Sequence, residues 1–150
     1  MNTTTIEREI SIEAPVDRVW SLITEAEHLG TWFGDAGADI DLRPGGALEV
    51  RWEDHTLTGV VEAVEPKSRF TFRWRQFDTP AGVELSEGNS TLVEFSLESD
   101  GTATRVRVVE GGFGSLTIAD EEQKALFGAH TQGWSRELDD LAVHAVGMVA

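Results

Sequence analysis

From Asp120 onward the sequence contains no proline, and apolar residues recur at Phe127, Trp134, Leu138, Leu141, Ala145 and Met148. The spacings of seven, four, three, four and three are those of one face of a helix. A long helix with a single apolar stripe has to bury that stripe, and the only partner on offer is the chain that precedes it. Gly128 and Gly133 lie inside this stretch, and each costs on the order of 1 kcal/mol relative to alanine in a helix. A close approach or an open space beneath the helix would account for them.

The partner reads as a sheet. Ile6, Ile10 and Ile12 form one side of an opening strand that Ala14-Pro15 ends. Val16, Val19, Trp20 and Ile23 then follow at helical spacing, so residues 15–24 predict a short helix and residues 25–32 a second one ending in Trp32-Phe33-Gly34. From Ala38 the period changes to two. Residues 38–53 predict a hairpin around Arg43-Pro44-Gly45-Gly46, and strands follow at 56–64, 69–77, 90–98 and 103–110. Short strands joined by tight turns give an antiparallel meander. At 150 residues the chain fits one domain, 1–150, of the α+β class.

Alternation assigns the two faces. Phe70, Phe72 and Trp74, then Val93, Phe95 and Leu97, then Val106 and Val108 share the apolar side, which must meet the final helix. Arg73, Arg75, Arg105 and Arg107 share the other, where cross-strand pairs with Glu94 and Glu49 are the expectation and a phosphate site the sharper alternative. The connection 78–89, with Pro80, Gly82 and Gly88, is the one long irregular segment, either a lid or a solvated hairpin end.

Twenty-seven acidic residues against 12 basic ones give a formal charge of −15, a field that repels phosphate backbones and anionic headgroups. Nucleic acid and membrane are therefore not expected as partners, and no apolar run approaches the roughly 18 residues of a membrane span. No secretory signal is visible at Met1-Asn2-Thr3-Thr4-Thr5, so a cytoplasmic location is expected. With no cysteine there is no thiolate ligand or nucleophile. His28, His55, His130 and His144 share no metal-ligand spacing, and Gly111-Gly112-Phe113-Gly114 lacks the signature of a phosphate-binding loop. Neither a metal nor a cofactor is expected. His130 is the one candidate for chemistry: it precedes Trp134 by one helical turn and so points toward the sheet, but spacing assigns it no partner carboxylate. A hydrogen-bonded structural role is the expectation for it.

The order of strand, two short helices, antiparallel meander and long final helix resembles the helix-grip fold of the START-like (SRPBCC) superfamily. Within it the sequence is similar to the activator-of-Hsp90-ATPase C-terminal-domain branch. The resemblance rests on Ile12-Glu13-Ala14-Pro15-Val16-Asp17-Arg18-Val19-Trp20, Trp32-Phe33, Asp41-Leu42-Arg43-Pro44-Gly45-Gly46 and His130-x-x-Gly133-Trp134-x-x-x-Leu138-x-x-Leu141. It implies a cavity between a curved sheet and the final helix, walled here by Trp52, Gly59, Val61, Phe72, Trp74, Phe95, Val108, Gly133, Trp134 and Leu138, with Trp32 and Phe33 at one end and His130 as a polar contact. Such a lining suits a small hydrophobic or aromatic molecule. A carrier or binder is the first functional expectation. A cyclase or hydrolase acting in the same cavity and a chaperone-stimulating interaction module are the alternatives, with a protein partner or a homodimer as further company.

Overall fold

The computed structural model describes residues 5–75 and 84–149, with side chains up to Ala145. Of the readings above, the strand end 76–77, residues 78–83 of the long connection and the side chain of Met148 lie outside the described residues.

Seven strands form one antiparallel sheet: β1 (Thr5–Ile12), β2 (Ala38–Ile40), β3 (Ala47–Arg51), β4 (Thr56–Glu65), β5 (Arg69–Arg75), β6 (Ser90–Asp100) and β7 (Ala103–Gly111). Their order is β1-β7-β6-β5-β4-β3-β2. The meander β2 to β7 runs in sequence order, and β1 closes onto β7 with Ile6 opposite Glu110 and Ile12 opposite Thr104. Between β1 and β2 come α1 (Val16–Thr24), α2 (Ala26–His28) and a wide π-type turn, Leu29–Phe33. The last helix, α3 (Asp120–Val149), spans 30 residues. This is the α+β helix-grip arrangement.

Local chemistry explains the joints. Pro15 in extended conformation starts α1, whose Val19, Leu22 and Ile23 are buried against the sheet. The Thr104 hydroxyl donates to the Ala14 carbonyl at 2.8 Å, tying that start to β7. The Trp32 indole N–H donates to the Leu22 carbonyl at 2.6 Å, fixing the π-type turn against α1. After β7 the chain leaves the sheet at Gly112, whose φ of +100° few residues other than glycine adopt. A single 3-10 turn, Phe113–Ser115, then leads toward α3. Three carboxylates, Asp120, Glu121 and Glu122, occupy the first turn of α3, where the helix dipole favours negative charge.

The stripe read from the sequence is the buried one: Trp134, Leu138, Leu141 and Ala145 face the core, and Phe127 packs partly buried against it. On the outer face the arginines are paired, though with other partners than expected. Arg73 meets Glu62 at 3.2 Å, Arg107 meets Glu7 at 2.9 Å and Arg105 meets Glu9 at 3.5 Å. Glu94 pairs with Arg69 and Glu49 with Arg51. Register is the reason: Glu94 lies opposite Thr71, and Glu49 lies opposite Thr58 and Asp39, far from β7. Among the described residues no helix is long and apolar enough to cross a membrane.

Candidate functional site

Under α3 the expected wall residues meet one another. Phe33 is the hub, stacked on Trp134 with ring centres 5.5 Å apart and edge-on to Trp52 and Trp74 at 5.4 and 5.7 Å. Phe95 stands edge-on to Trp134 at 5.7 Å and to Trp32 at 6.3 Å. Val61, Phe72, Val108 and Leu138 are buried around this cluster. The rings therefore fill much of the space the resemblance assigns to a cavity. The cluster reaches the surface only where Trp52 and Trp74 are partly buried rather than fully so.

Gly59, named in the expected cavity wall, serves the sheet instead. A side chain there would collide with the carbonyl of Arg73 on the neighbouring strand, so the glycine permits close strand approach near the irregularity at Val61 and Ala63 and opens no space. Gly133 is the opposite case: a Cβ built on it meets nothing within 4 Å. It shares a flank of α3 with His130 and Glu137, three residues before it and four after, leaving that flank open between them. Gly128 also meets nothing, and nothing in the structure explains it.

At the inner end of this flank sits a group that the sequence reading missed. Glu110, fully buried on β7, directs its carboxylate under α3. Its Oε1 accepts from the Trp134 indole N–H at 2.8 Å and its Oε2 from the Thr91 hydroxyl at 2.6 Å. His130 Nδ1 lies 2.8 and 3.0 Å from the two oxygens. Spacing assigns His130 no partner carboxylate; the fold supplies one, Glu110 on β7. The partner comes from a strand 20 residues earlier, which helical spacing cannot show. One signal was available: the alternation Val106, Val108 continues to Glu110, which puts an acid on the apolar face, where it needs donors.

The imidazole of His130 is sandwiched rather than loose. Trp74 stacks on it at 5.1 Å and Phe113 meets it edge-on at 5.4 Å, while its side chain keeps 16% of its surface exposed. Among the described residues Nε2 has no hydrogen-bond partner. Chemically, the arrangement is an imidazole held by a buried carboxylate, walled by aromatic rings, with one ring nitrogen left over.

Farther along the flank, Glu137 carries a buried Oε2 without a partner among the described residues. Burial first, then the nearby charges of Asp140 and Asp35, push its carboxyl up to about 8, with Arg136 opposing. A raised folded-state value means that the native protein holds this proton more tightly than the unfolded chain. The associated stability is complete below the ordinary carboxylate range and is lost as pH rises through 8. We expect the melting temperature of Glu137→Gln, minus that of the native protein, to grow between pH 5 and pH 9; calorimetry at both values checks this, and a constant difference would contradict it.

The remaining histidines sit apart from His130. His28 and His144 face each other, Nδ1 to Nε2, at 2.9 Å, and burial followed by the charge of His28 lowers His144. His55 stacks on Trp52 at 4.7 Å and bonds Asp54 at 2.6 Å, which holds that carboxyl below its usual value. A separate hollow of about 290 Å³ lies on the outward face, lined in part by Arg73, Ser90, Leu92 and Glu94, and touches none of the residues expected at the site.

No curated protein matches. Among solved structures, protein MLL2253 from Mesorhizobium loti superposes with a TM-score of 0.78 at 20% identity, over 97% of this chain and 98% of that one. DynU16, from the dynemicin biosynthetic locus, gives 0.74 at 25% identity, over 94% of this chain but 46% of its own. PFC0360w, an HSP90 activator from Plasmodium falciparum, gives 0.73 at 14% identity, over 93% and 94%. Residues 13–145 match the model of one family, a span that takes in α1, the meander and nearly all of α3. The chain belongs to the family of Activator of Hsp90 ATPase homolog 1-like proteins.

Proposed function

We propose that this protein binds a small hydrophobic or aromatic molecule in a cleft at the margin of the aromatic cluster, against Trp52, Trp74, His130 and Gly133. The observation that carries the reading is the open space at Gly133 beside the stacked pair Trp74 and His130. Apolar walls with one or two placed polar groups are the usual make-up of a small-molecule site. Of the wall residues first expected, Trp32, Phe33, Val61, Phe72, Phe95, Val108, Trp134 and Leu138 support the site from behind in this reading, and Gly59 shapes the sheet.

The test is a titration with N-phenyl-1-naphthylamine, a neutral aromatic probe that the negative charge of the chain does not repel. Binding should quench tryptophan fluorescence and saturate. Gly133→Leu should abolish that response while melting no lower than the native protein, since a Cβ there meets no atom within 4 Å and leucine gains helix propensity of about 1 kcal/mol. Equal binding by the variant, or no binding by the native protein, would overturn the reading.

A second reading, proton-transfer catalysis in the same cleft, is favoured by one observation, the Glu110 carboxylate held against His130 Nδ1. A carboxylate that orients an imidazole is the usual support of a histidine general base. On this reading His130→Gln loses roughly 10² to 10⁴ in turnover while keeping probe affinity within a few-fold.

A further inference from the structure

We infer that the ligand of this cleft carries a hydrogen-bond donor on an aromatic frame, a phenol-type hydroxyl, and presents it to Nε2 of His130. The inference rests on the binding reading above and narrows its chemistry. Its basis is the direction of the hydrogen bonds around Glu110. An indole N–H can only donate, so Trp134 donates to Oε1 at 2.8 Å, and the Thr91 hydroxyl donates to Oε2 at 2.6 Å. A buried carboxylate that collects donors in this way is an acceptor toward its third neighbour as well, which makes Nδ1 of His130 the nitrogen that carries the hydrogen. In the neutral ring Nε2 is then a lone-pair acceptor.

The surroundings of that acceptor complete the specification. Trp74 covers one face of the imidazole and Phe113 meets it edge-on, so a planar ligand ring lies against the exposed part of Trp74 while its substituent reaches the edge nitrogen. A ligand that offers only acceptors at this point, such as an aryl ether or an aryl ketone, would face the lone pair with another lone pair. A hydroxyl satisfies it. With the imidazole neutral, the site selects aromatic alcohols over their methylated counterparts of nearly the same shape, because the unmet acceptor penalises the wrong partner more than the bond rewards the right one.

Three naphthalene probes test this directly on the full chain: 2-naphthol, 2-methoxynaphthalene and naphthalene, each titrated by tryptophan fluorescence. We expect 2-naphthol to bind at least about tenfold more tightly than the methyl ether. In His130→Phe, which keeps an aromatic ring in the stack, the ratio should fall to about one. If that variant does not fold, the imidazole ¹⁵N spectrum of the native protein replaces it: Nδ1 should be the protonated nitrogen in the free protein, and the Nε2 signal should move on addition of 2-naphthol and not of the ether. Equal affinities for the alcohol and the ether, or hydrogen on Nε2 in the free protein, would overturn this inference and leave the binding reading standing. Failure of all three probes to bind would overturn both.

Discussion

Leu141→Asp should yield a protein with no cooperative melting transition, recovered mainly in the insoluble fraction. Leu141 is fully buried, between Leu138 one turn before it and Ala145 one turn after, at the centre of the stripe that joins α3 to the sheet. An unpaired carboxylate in that position costs several kcal/mol, which is comparable to the whole stability of a domain, about 5–15 kcal/mol. Circular dichroism during heating and solubility after expression are the measurements. A soluble Leu141→Asp variant with a sharp transition would mean that α3 does not hold the fold together.

The second large effect is expected at Glu110. Replacing it by leucine removes the acceptor shared by the Trp134 indole, the His130 ring and the Thr91 hydroxyl. Buried donors left without partners cost about 1–3 kcal/mol each, so a loss of about 3 kcal/mol or more should follow. For a domain of this size that corresponds to a fall in melting temperature of about 10 °C. Glu110→Gln keeps an oxygen for Trp134 and His130 and should lose clearly less. Replacement of buried ionic groups by apolar ones is sometimes neutral or stabilising. A Glu110→Leu variant that melts at or above the native temperature would place this carboxylate in that class and show that the donors around it find other partners.

Leu141 was legible in the sequence as a core residue, and the partners of Glu110 were not. The α3 stripe and the inward faces of β5, β6 and β7 follow from periods of 3.6 and 2, because burial on one face leaves its mark on every second or every third to fourth residue, and the meander follows from the tight turns between short strands. Within the aromatic cluster, Phe72, Trp74, Phe95 and Trp134 were legible as inward positions of these elements, whereas Trp32, Phe33 and Trp52 entered through the family resemblance. Contacts that depend on register were not. The arginine partners on the outer face shift with every residue of strand offset, and a cross-strand neighbour has no fixed sequence distance. Gly59 and Gly133 both stand in the cavity wall that the resemblance implies, yet one admits a neighbouring backbone and the other faces open space. Only the placement of adjacent chain separates the two cases.

Glu110 is the most instructive omission. Its inward position could be read by extending the alternation of β7 by one step, and an acid there already calls for donors. That the donors are Trp134 and His130 on α3, and Thr91 on the neighbouring β6, depends on how the helix lies across the sheet. Tertiary packing sets that angle, and the sequence does not display it. The candidate site is therefore half visible in the sequence: the rings and the histidine are there, and the carboxylate bonded to the histidine is not.

The claim that the margin of the aromatic cluster is a ligand site is tested most directly by the indole N–H signals of the five tryptophans in a ¹⁵N-labelled sample. Each tryptophan reports from a different place. Trp52 and Trp74 lie at the proposed cleft, Trp134 is behind it and bonded to Glu110, Trp32 is buried and bonded to Leu22, and Trp20 is on α1. On titration with N-phenyl-1-naphthylamine, the account predicts large saturating shifts for Trp52 and Trp74, a smaller one for Trp134, and none for Trp20 and Trp32. Unchanged signals throughout, or shifts confined to Trp20, would contradict it.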